Sequence, residues 1–373
     1  MKLEPFRLER YFSRYEFAAP YLLCASDCES MTVEELLALE PEAHAQLLKL
    51  QLGYTESDGA PGLREAITTL YEQIPASQVL VHAGAEEAIF NFMNVALRPG
   101  EQAVVQAPYY QSLGAVARGI GAEVVEWRGD PKRGWMLDLE RFKALLTERT
   151  KVVVVNFPHN PTGFLPTAAF VRELSALSER HGFIIFSDEV YRGLELDPSD
   201  RLPAIADLNP RAVSLGVMSK TYGLAGLRIG WIATANAALL REMAAFKDYT
   251  TICNSAPSEF LAALALRHAG AIAARNRQII HDNLDRLDRF FAAHPGWFAW
   301  QRPKAGSIGF PELRRGSVDA FCSDLLDQKG VLLLPGTVYG SRYNAFRIGF
   351  GRRNFFEALE RLEAYLYDLE KEP

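Results

Sequence analysis

The stretch Ser214-Leu-Gly-Val-Met-Ser-Lys-Thr-Tyr-Gly-Leu-Ala-Gly-Leu-Arg-Ile-Gly-Trp231 runs from an apolar, strand-like segment into a loop that carries Lys220. Upstream of it, the apolar run Phe183-Ile-Ile-Phe-Ser-Asp-Glu-Val-Tyr191 ends in Asp188 and Tyr191. Runs that are apolar throughout are typical of strands covered on both faces. In α/β sheets, ligand chemistry is placed at the carboxyl ends of such strands. The two stretches therefore predict a buried sheet with an amine, a carboxylate and a phenol near its carboxyl edge.

Apolar runs alternate with helical patterns over the middle of the chain. Seven runs are predicted to form strands, at residues 78–82, 102–106, 123–126, 151–155, 183–186, 212–215 and 229–233. Between two of them, a helical pattern from Thr167 to Arg180 is followed by Gly182, a typical stop signal. This alternation predicts an α/β fold in which a mostly parallel seven-stranded sheet has helices on both faces.

The two ends of the chain have a different pattern. A long helical stretch from about Pro257 to Ala293 precedes several short apolar runs and a final amphipathic helix that contains Phe355. The first 45 or so residues are too few to make a core of their own. We therefore predict a large domain over residues 46–271 and a smaller α+β domain made of residues 1–45 and 272–373.

The composition excludes several classes of protein. A net charge of −6 argues against a wide nucleic-acid-binding surface. No apolar run reaches the roughly 18 residues that span a bilayer, and the N-terminus lacks the apolar core of a signal peptide. The four cysteines are too few for a disulfide framework and lack the spacing of a zinc site. We expect a cytoplasmic protein that has no metal site and does not bind nucleic acid or membranes.

The residues at the predicted strand ends suit one kind of cofactor chemistry. Lysine is the side chain that forms Schiff bases, and a carboxylate such as Asp188 can keep a pyridine nitrogen protonated. The hydroxyl of Tyr191 can donate to an oxygen on the same ring. Taken singly, each residue has a simpler interpretation: Lys220 as a surface charge, Asp188 as a helix cap and Tyr191 as a packed aromatic.

Three further segments follow other predicted strands. Asn160-Pro-Thr-Gly163 is a turn signal, and the Asn160 amide can also donate to a ring oxygen. Gly84-Ala-Glu-Glu87 opens a helix, where free backbone N–H groups attract a phosphate. Pro108-Tyr-Tyr110 offers an aromatic that can stack on a flat ring or simply pack in the core. Each of these signals is weak alone, but together they point to one composite site.

From about Tyr54 to Gly351, the chain closely resembles the class I/II aminotransferases of fold type I, which depend on pyridoxal 5′-phosphate. The motifs that carry the resemblance are Asn-Pro-Thr-Gly, the Ser-Asp-Glu-Val-Tyr strand end and Ser-Lys-Thr-Tyr-Gly-Leu-Ala-Gly-Leu-Arg-Ile-Gly. The resemblance implies pyridoxal 5′-phosphate as the cofactor. It also implies transfer of an amino group between an amino acid and a 2-oxo acid.

The resemblance further implies a role for each matching residue. Lys220 would form the Schiff base and move the substrate proton, while Asp188 pairs with the pyridine nitrogen. Tyr191 and Asn160 would contact the ring oxygen, and Tyr110 would stack on the ring face. The phosphate would be held by Ser219, Arg228 and the backbone N–H groups of Ala85 and Glu86. Arg347 would bind the substrate α-carboxylate. Tyr54 would reach the phosphate in a neighbouring subunit, which implies a homodimer with shared active sites.

Two segments depart from the family pattern. Val217 stands where the family often has a phosphate-binding Ser or Thr, and the segment 24–31 lacks the usual glycine. In this segment, Asp27 and Glu29 could accept hydrogen bonds from a cationic side chain, so we predict a pocket for a basic amino acid such as arginine or lysine. A different interpretation is a capping role for Ser30 or Thr32 at the start of a helix, and the two roles are compatible.

Several reactions are open on this scaffold. Transamination is the leading hypothesis. It competes with β-elimination, decarboxylation, and cyclisation or oxidation of an amino acid, because all of these reactions use the same ring-binding residues. A non-catalytic ligand sensor is disfavoured, since Lys220 is intact and no basic helix-turn-helix pattern precedes Tyr54.

Overall fold

The computed structural model describes residues 1–371 of the chain. Its α-helices are α1 (Arg7–Tyr15), α2 (Val33–Leu37), α3 (Ala43–Leu48), α4 (Pro61–Thr68), α5 (Ala85–Ala96), α6 (Ser112–Ile120), α7 (Leu139–Lys143), α8 (Ala168–His181), α9 (Ile205–Leu208), α10 (Ala237–Lys247), α11 (Ala256–Arg267), α12 (Ala269–Ala293), α13 (Val318–Lys329) and α14 (Phe355–Lys371). Its strands are β1 (Tyr21–Leu22), β2 (Val79–His82), β3 (Gln102–Ala107), β4 (Glu123–Arg128), β5 (Thr150–Asn156), β6 (Ile184–Asp188), β7 (Val213–Val217), β8 (Gly230–Ala233), β9 (Phe298–Ala299), β10 (Ile308–Gly309), β11 (Glu312–Leu313), β12 (Val331–Leu332), β13 (Leu334–Pro335) and β14 (Phe346–Gly349).

The seven strands predicted from the sequence form one central sheet, in the order β2-β8-β7-β6-β5-β3-β4. The strands from β7 to β4 pair in parallel, and β8 is antiparallel to both of its neighbours. Each predicted run overlaps its strand, and their ends differ by two residues at most. The predicted α/β fold with a mostly parallel sheet is therefore confirmed.

Alternate residues of β5 show how the sheet is covered on both faces. Val152 and Val154 pack in the apolar cluster that includes Phe92 of α5. Val153 and Val155 point the other way, into the cluster that includes Leu174 of α8. Since side chains alternate between faces along a strand, a run of four valines is stable only between two apolar layers.

The rest of the chain forms small sheets beside this core. Strand β14 pairs antiparallel with β10 and β13, while β1 near the N-terminus pairs in parallel with β12. The segment after β1 stays close to β14, where the Gly349 N–H donates to the Leu23 carbonyl at 2.9 Å. A Cβ at Gly349 would collide with the Ala25 carbonyl oxygen, so glycine is what permits this approach. The division into domains at residues 45/46 and 271/272 stays a prediction.

Two local expectations are corrected or decided by the structure. The long helical stretch is two helices, α11 and α12, separated at His268, whose φ of −110° and ψ of 19° leave the helical region. Arg267 and His268 both turn their side chains to the Glu40 carboxylate at this break, at 2.8 Å and 3.1 Å. Thr32, rather than Ser30, caps α2, and Glu35 completes the capping box.

Within residues 1–371, no helix has both the length and the apolar character needed to cross a membrane. All four cysteines are unpaired thiols.

Candidate active site

The carboxyl ends of β5, β6 and β7 converge at one edge of the central sheet. Asn156, the last residue of β5, pairs in register with Asp188, the last residue of β6. The Asn156 side-chain amide donates to the Asp188 carbonyl at 2.8 Å, and its oxygen accepts from the Asn160 backbone N–H at 2.6 Å. Lys220 follows β7 by three residues. The topology therefore brings the amine, the carboxylate and the amide predicted from the sequence to one place.

These residues line a cavity of about 400–450 Å³. Eleven of the predicted site residues form its wall: Asp27, Ala85, Glu86, Tyr110, Asn160, Asp188, Tyr191, Ser219, Lys220, Arg228 and Arg347. Glu29 and Tyr54 do not line it. The cavity is large enough for a phosphorylated pyridine ring and an amino acid.

Lys220 projects into this cavity from the loop after β7. Its Nζ donates to the Ser26 hydroxyl at 2.9 Å. Burial lowers the pKa of the Lys220 amine below its ordinary value, while the nearby Asp27 carboxylate opposes the shift. A lowered pKa raises the fraction of neutral amine, which is the nucleophilic form.

Asp188 and Tyr191 lie beside the lysine and are both buried. The Asp188 carboxylate accepts a hydrogen bond from the Val190 N–H at 3.2 Å. Burial nevertheless raises the pKa of Asp188 to about 7, with Val190 and Lys220 opposing the shift. The Tyr191 side chain is only 1% exposed, and its hydroxyl makes no hydrogen bond within residues 1–371. A buried hydroxyl of this kind has a hydrogen bond to offer to a ligand.

Arg347, on β14, also lines the cavity and is only 2% exposed. Its Nε donates to the Cys24 carbonyl at 3.0 Å, and its Nη1 donates to the Tyr339 hydroxyl at 2.7 Å. The Tyr339 hydroxyl in turn donates to Asn160 Oδ1 at 2.9 Å. Because Oδ1 of Asn160 is an acceptor here, the amide nitrogen is left to donate elsewhere. The guanidinium is thus held in place without a carboxylate partner of its own.

The start of α5 offers backbone donors at the rim of the cavity. Gly84 precedes the helix with φ of 90°, a conformation that glycine adopts readily, and Ala85 and Glu86 form the first turn. The Arg228 guanidinium lies against Gly84, so a cation stands next to the free N–H groups of the helix. This combination suits a phosphate. Burial raises the pKa of the Glu86 carboxyl to about 7.

Tyr110 and the acids of the segment 24–31 have partners that the sequence did not indicate. The Tyr110 hydroxyl donates to Glu9 at 3.0 Å, a partner on α1. Asp27 reaches the cavity, but its carboxylate is paired with Arg352 at 2.9 Å and 3.0 Å. The Glu29 carboxylate accepts from the Arg353 N–H at 2.8 Å and faces away from the cavity. The pocket role predicted for Glu29 therefore has no support in this structure.

The sequence predicted that the segment 26–31 forms part of the substrate pocket but gave no role to Ser26, and it did not indicate the other residues of the cavity wall described here. Ser26 supplies the hydroxyl beside Lys220, and α1 contributes Glu9, Phe12 and Glu16. Tyr339 supplies the hydroxyl that holds Arg347. The apolar residues of α1 recur at intervals of three and four, which is typical of a helix, but nothing local indicates which surface the helix covers.

The cofactor that the resemblance implies fits this set of residues. Lys220 offers an amine of lowered pKa, and Asp188 is a buried carboxyl without a cation bonded to it. The unpartnered Tyr191 hydroxyl can donate to the ring oxygen, and Arg228 with the start of α5 can hold the phosphate. The aldehyde, the ring nitrogen, the phenolic oxygen and the phosphate of the cofactor would thus each have a matching group in the cavity.

Comparison with known proteins supports the same assignment. The family model for aminotransferase class I and II matches residues 20–362. Capreomycidine synthase of Streptomyces vinaceus is 33% identical over 351 residues, which cover 93% of this chain and 88% of that protein. Among solved structures, a PLP-dependent aminotransferase from Streptococcus suis 89-1591 has a TM-score of 0.94 at 32% identity and covers 100% of both chains. The PLP-dependent cyclase OrfR has a TM-score of 0.91 at 30% identity, covering 99% of this chain and 98% of its own.

The fold, the placement of the lysine and the family match agree over nearly the whole chain. The protein belongs to the class I and II aminotransferase family, and its cofactor is pyridoxal 5′-phosphate.

Proposed function

We propose that this protein is an aminotransferase that moves an amino group between an amino acid and a 2-oxo acid. When bound, pyridoxal 5′-phosphate supplies an aldehyde that condenses with amines and a ring that delocalises the charge left on a carbon that loses its proton. The residues of the chain then have to bind the substrate, hold the ring and move one proton.

The observation that carries the proposal is the buried guanidinium of Arg347, which lines the same cavity as Lys220. Its guanidinium is fixed by Cys24 and Tyr339 and has no carboxylate partner within residues 1–371. A guanidinium binds a carboxylate through two parallel hydrogen bonds, so a substrate α-carboxylate is the natural partner. A substrate held there has its α-carbon on the side of the cavity that contains Lys220.

Each remaining residue has one task in this scheme. Lys220 removes the proton from the substrate α-carbon as its general base, and Asp188 holds a proton on the ring nitrogen. Tyr191 and the amide nitrogen of Asn160 donate to the ring oxygen, and Tyr110 packs against the ring. Ser219, Arg228 and the N–H groups of Ala85 and Glu86 hold the phosphate.

A second candidate is another reaction of the same cofactor, in particular cyclisation of an amino acid. It is favoured by the similarity to capreomycidine synthase, at 33% identity, and to the cyclase OrfR, whose TM-score of 0.91 compares with 0.94 for the aminotransferase from Streptococcus suis. The ring-binding residues serve both reactions equally, so they do not separate the two candidates. β-Elimination and decarboxylation of an amino acid would use the same ring-binding residues as well.

A product assay tests the proposal. Single L-amino acids are incubated with the holoenzyme and a 2-oxo acid, and both the new 2-oxo acid and the new amino acid are quantified by mass spectrometry. Transamination requires the two products in a 1:1 ratio, and it requires product formation to depend on the added 2-oxo acid. Product that forms at full rate without a 2-oxo acid, or retains the amino nitrogen in a ring, would refute it in favour of the second candidate.

The identity of the reactive lysine is tested in the same preparation. Borohydride reduction of the holoenzyme should attach the cofactor permanently to Lys220, as read by peptide mapping, and Lys220→Ala should abolish turnover. A label on another lysine would contradict the site assignment. The homodimer and the cytoplasmic location also remain proposals, the latter suggested by four unpaired cysteines.

A further inference from the structure

Helix α1 forms one wall of the active-site cavity, through Leu8, Glu9, Phe12 and Glu16 near its end. Its position is fixed at its first residue and at its middle. The Arg7 N–H donates to Gln111 at 2.9 Å, and the Tyr11 hydroxyl donates to the Leu333 carbonyl at 2.8 Å. The side chains of α1 that face the cavity are therefore held in place.

The cationic side chains of the cavity wall all have a task in the proposed function. Arg347 binds the substrate α-carboxylate, Arg228 lies at the phosphate end, and Lys220 is the reactive amine opposite Asp188. The buried hydroxyl of Tyr191, which has no partner within residues 1–371, shows that the cavity is shaped for a ligand. No cation of the wall is left over to neutralise further acids.

The cavity wall also contains acidic side chains that these cations do not neutralise. Asp27 is neutralised by Arg352. Glu9 and Glu16 form no ion pair within 4.0 Å in the described part of the chain, and the one hydrogen bond to the Glu9 carboxylate comes from the neutral hydroxyl of Tyr110. Burial raises the pKa of Glu16, with the more distant Arg352 opposing the shift. A carboxylate in this situation is stabilised by a ligand cation.

The two glutamates also lie near the residue of this helix that contacts Arg347, which is Phe12. Glu9, Phe12 and Glu16 are separated by three and four residues, so they share one face of the helix. The Phe12 ring lies 5.6 Å from the Arg347 guanidinium carbon. Along the helix axis, Glu9 and Glu16 are roughly 4.5 and 6 Å from Phe12. Both carboxylates thus flank the ring that covers the carboxylate-binding arginine.

We propose that Glu9 and Glu16 bind a cationic group at the end of the substrate side chain, so that the enzyme selects basic amino acids. The inference rests on the proposed function, because it takes Arg347 as the α-carboxylate site. It retains the substrate class expected from the segment 24–31 but assigns the recognition to α1. Asp27 and Glu29 are occupied by Arg352 and Arg353.

Binding of unreactive analogues tests this without turnover. The holoenzyme is titrated by calorimetry with 5-guanidinopentanoate, which has a carboxylate and a guanidinium but no α-amino group, and with hexanoate and adipate as neutral and acidic counterparts. We expect the guanidino acid to bind at least roughly tenfold more tightly than hexanoate, as a charge-assisted hydrogen bond provides. Equal or tighter binding of hexanoate or adipate by the wild-type enzyme would overturn the proposal.

Variants then assign the selectivity to α1. Glu9→Gln and Glu16→Gln should each lose roughly tenfold in affinity for 5-guanidinopentanoate and leave hexanoate binding unchanged. Glu42→Gln, an exposed acid outside the cavity, removes the same charge and should change neither affinity. Equal losses for both ligands, or none, would contradict the assignment.

These experiments distinguish a failure of the proposal for α1 from a failure of the proposal of transamination. If the guanidino acid is selected but L-arginine and L-lysine yield no 2-oxo acid, the transamination proposal fails while the role of α1 stands. If a 2-oxo acid forms only from neutral or acidic amino acids, the role of α1 fails while transamination stands.

Discussion

At the scale of single residues, the site depends on charges held away from water. Asp188 has a pKa near 7 because it is buried, and Lys220 has a lowered pKa for the same reason. Both shifts favour the neutral forms in the protein before the cofactor is added. A protonated ring nitrogen is the missing counter-charge for Asp188.

The stability of the cofactor-free protein should therefore depend on Asp188 and pH. The folded pKa of about 7 exceeds the unfolded value of about 3.9, so folding favours the protonated carboxyl. This contribution is complete below about pH 4 and is lost as the pH rises through about 7. As the pH rises from 4 to 8, the unfolding free energy of apo Asp188→Asn should therefore increase, relative to that of wild type, by on the order of a few kcal/mol.

Thermal unfolding of both apoproteins at several pH values measures this difference. Asp324→Asn, an exposed acid on α13, serves as the matched control and should unfold in parallel with wild type at every pH. A constant offset between Asp188→Asn and wild type across the pH range would rule out the titration.

Arg347→Lys should weaken binding of the substrate α-carboxylate by roughly 1.5–3 kcal/mol, since lysine keeps the charge but cannot form the paired hydrogen bonds. Lysine also loses the bond from Nε to Cys24 that orients the group. Dissociation constants for an amino acid and for the matching amine without a carboxylate are compared by spectral titration. If the amine loses as much affinity as the amino acid, Arg347 is not the carboxylate site.

At the scale of elements, the cavity is closed by segments that come from the two ends of the chain. The segment 23–27 runs along β14, and α1 lies over the arginine that β14 carries. The close approach depends on Gly349, because a side chain there would meet the Ala25 carbonyl. Helix α1, the segment 23–27 and Arg347 therefore pack against one another.

Gly349→Ala should lower the stability of the protein by roughly 1–3 kcal/mol, the usual cost of overpacking. It should also weaken amino-acid binding, because the segment that carries Ser26 must shift. Gly270→Ala is the matched control, since no heavy atom lies within 4 Å of its added Cβ and alanine favours the helix. Calorimetric unfolding checks both variants, and equal stability for the two would contradict this account of Gly349.

At the scale of the whole molecule, the predicted phosphate-binding residue Tyr54 lies outside the cavity of its own chain. Tyr54 is 93% exposed and lies between helices α3 and α4. Tyr249 is exposed to a similar extent, at 90%. Both aromatic side chains are therefore free to contact another subunit. The proposed homodimer with shared active sites would account for the exposure of Tyr54, because this side chain would then complete the phosphate site of the partner subunit.

Subunit mixing tests this arrangement. Tyr54→Ala and Lys220→Ala homodimers should both be nearly inactive, and the Tyr54 variant should fold normally because this side chain is exposed. In a hybrid dimer, one site carries both lesions and the other is intact. Random exchange should restore about a quarter of the wild-type activity, because half of the dimers are hybrids with one intact site of two. No recovery despite proven exchange, or an active monomer in sedimentation, would refute shared sites.

The sequence by itself determined the sheet, the cofactor and the residues that follow its strands. Buried parallel strands are continuous apolar runs, and polar residues follow within a few positions of the ends of β5, β6 and β7. Local pattern is therefore enough to place Asn160, Asp188 and Lys220 near one edge. The loop around Lys220 can also be identified from local sequence, because its glycines and hydroxyl groups lie within a few residues of the lysine.

Only the tertiary structure decided what covers the cavity. Ser26 lies 194 positions from Lys220 in the chain, and Tyr110 lies 101 positions from Glu9, so no periodicity within a window of sequence connects them. The acids of the segment 24–31 looked free in the sequence but are bonded to Arg352 and to the backbone of Arg353, while those of α1 are left facing the cavity. Strand ends are fixed by local hydrophobic pattern, whereas the partner of a charged side chain depends on which distant surface packs against it.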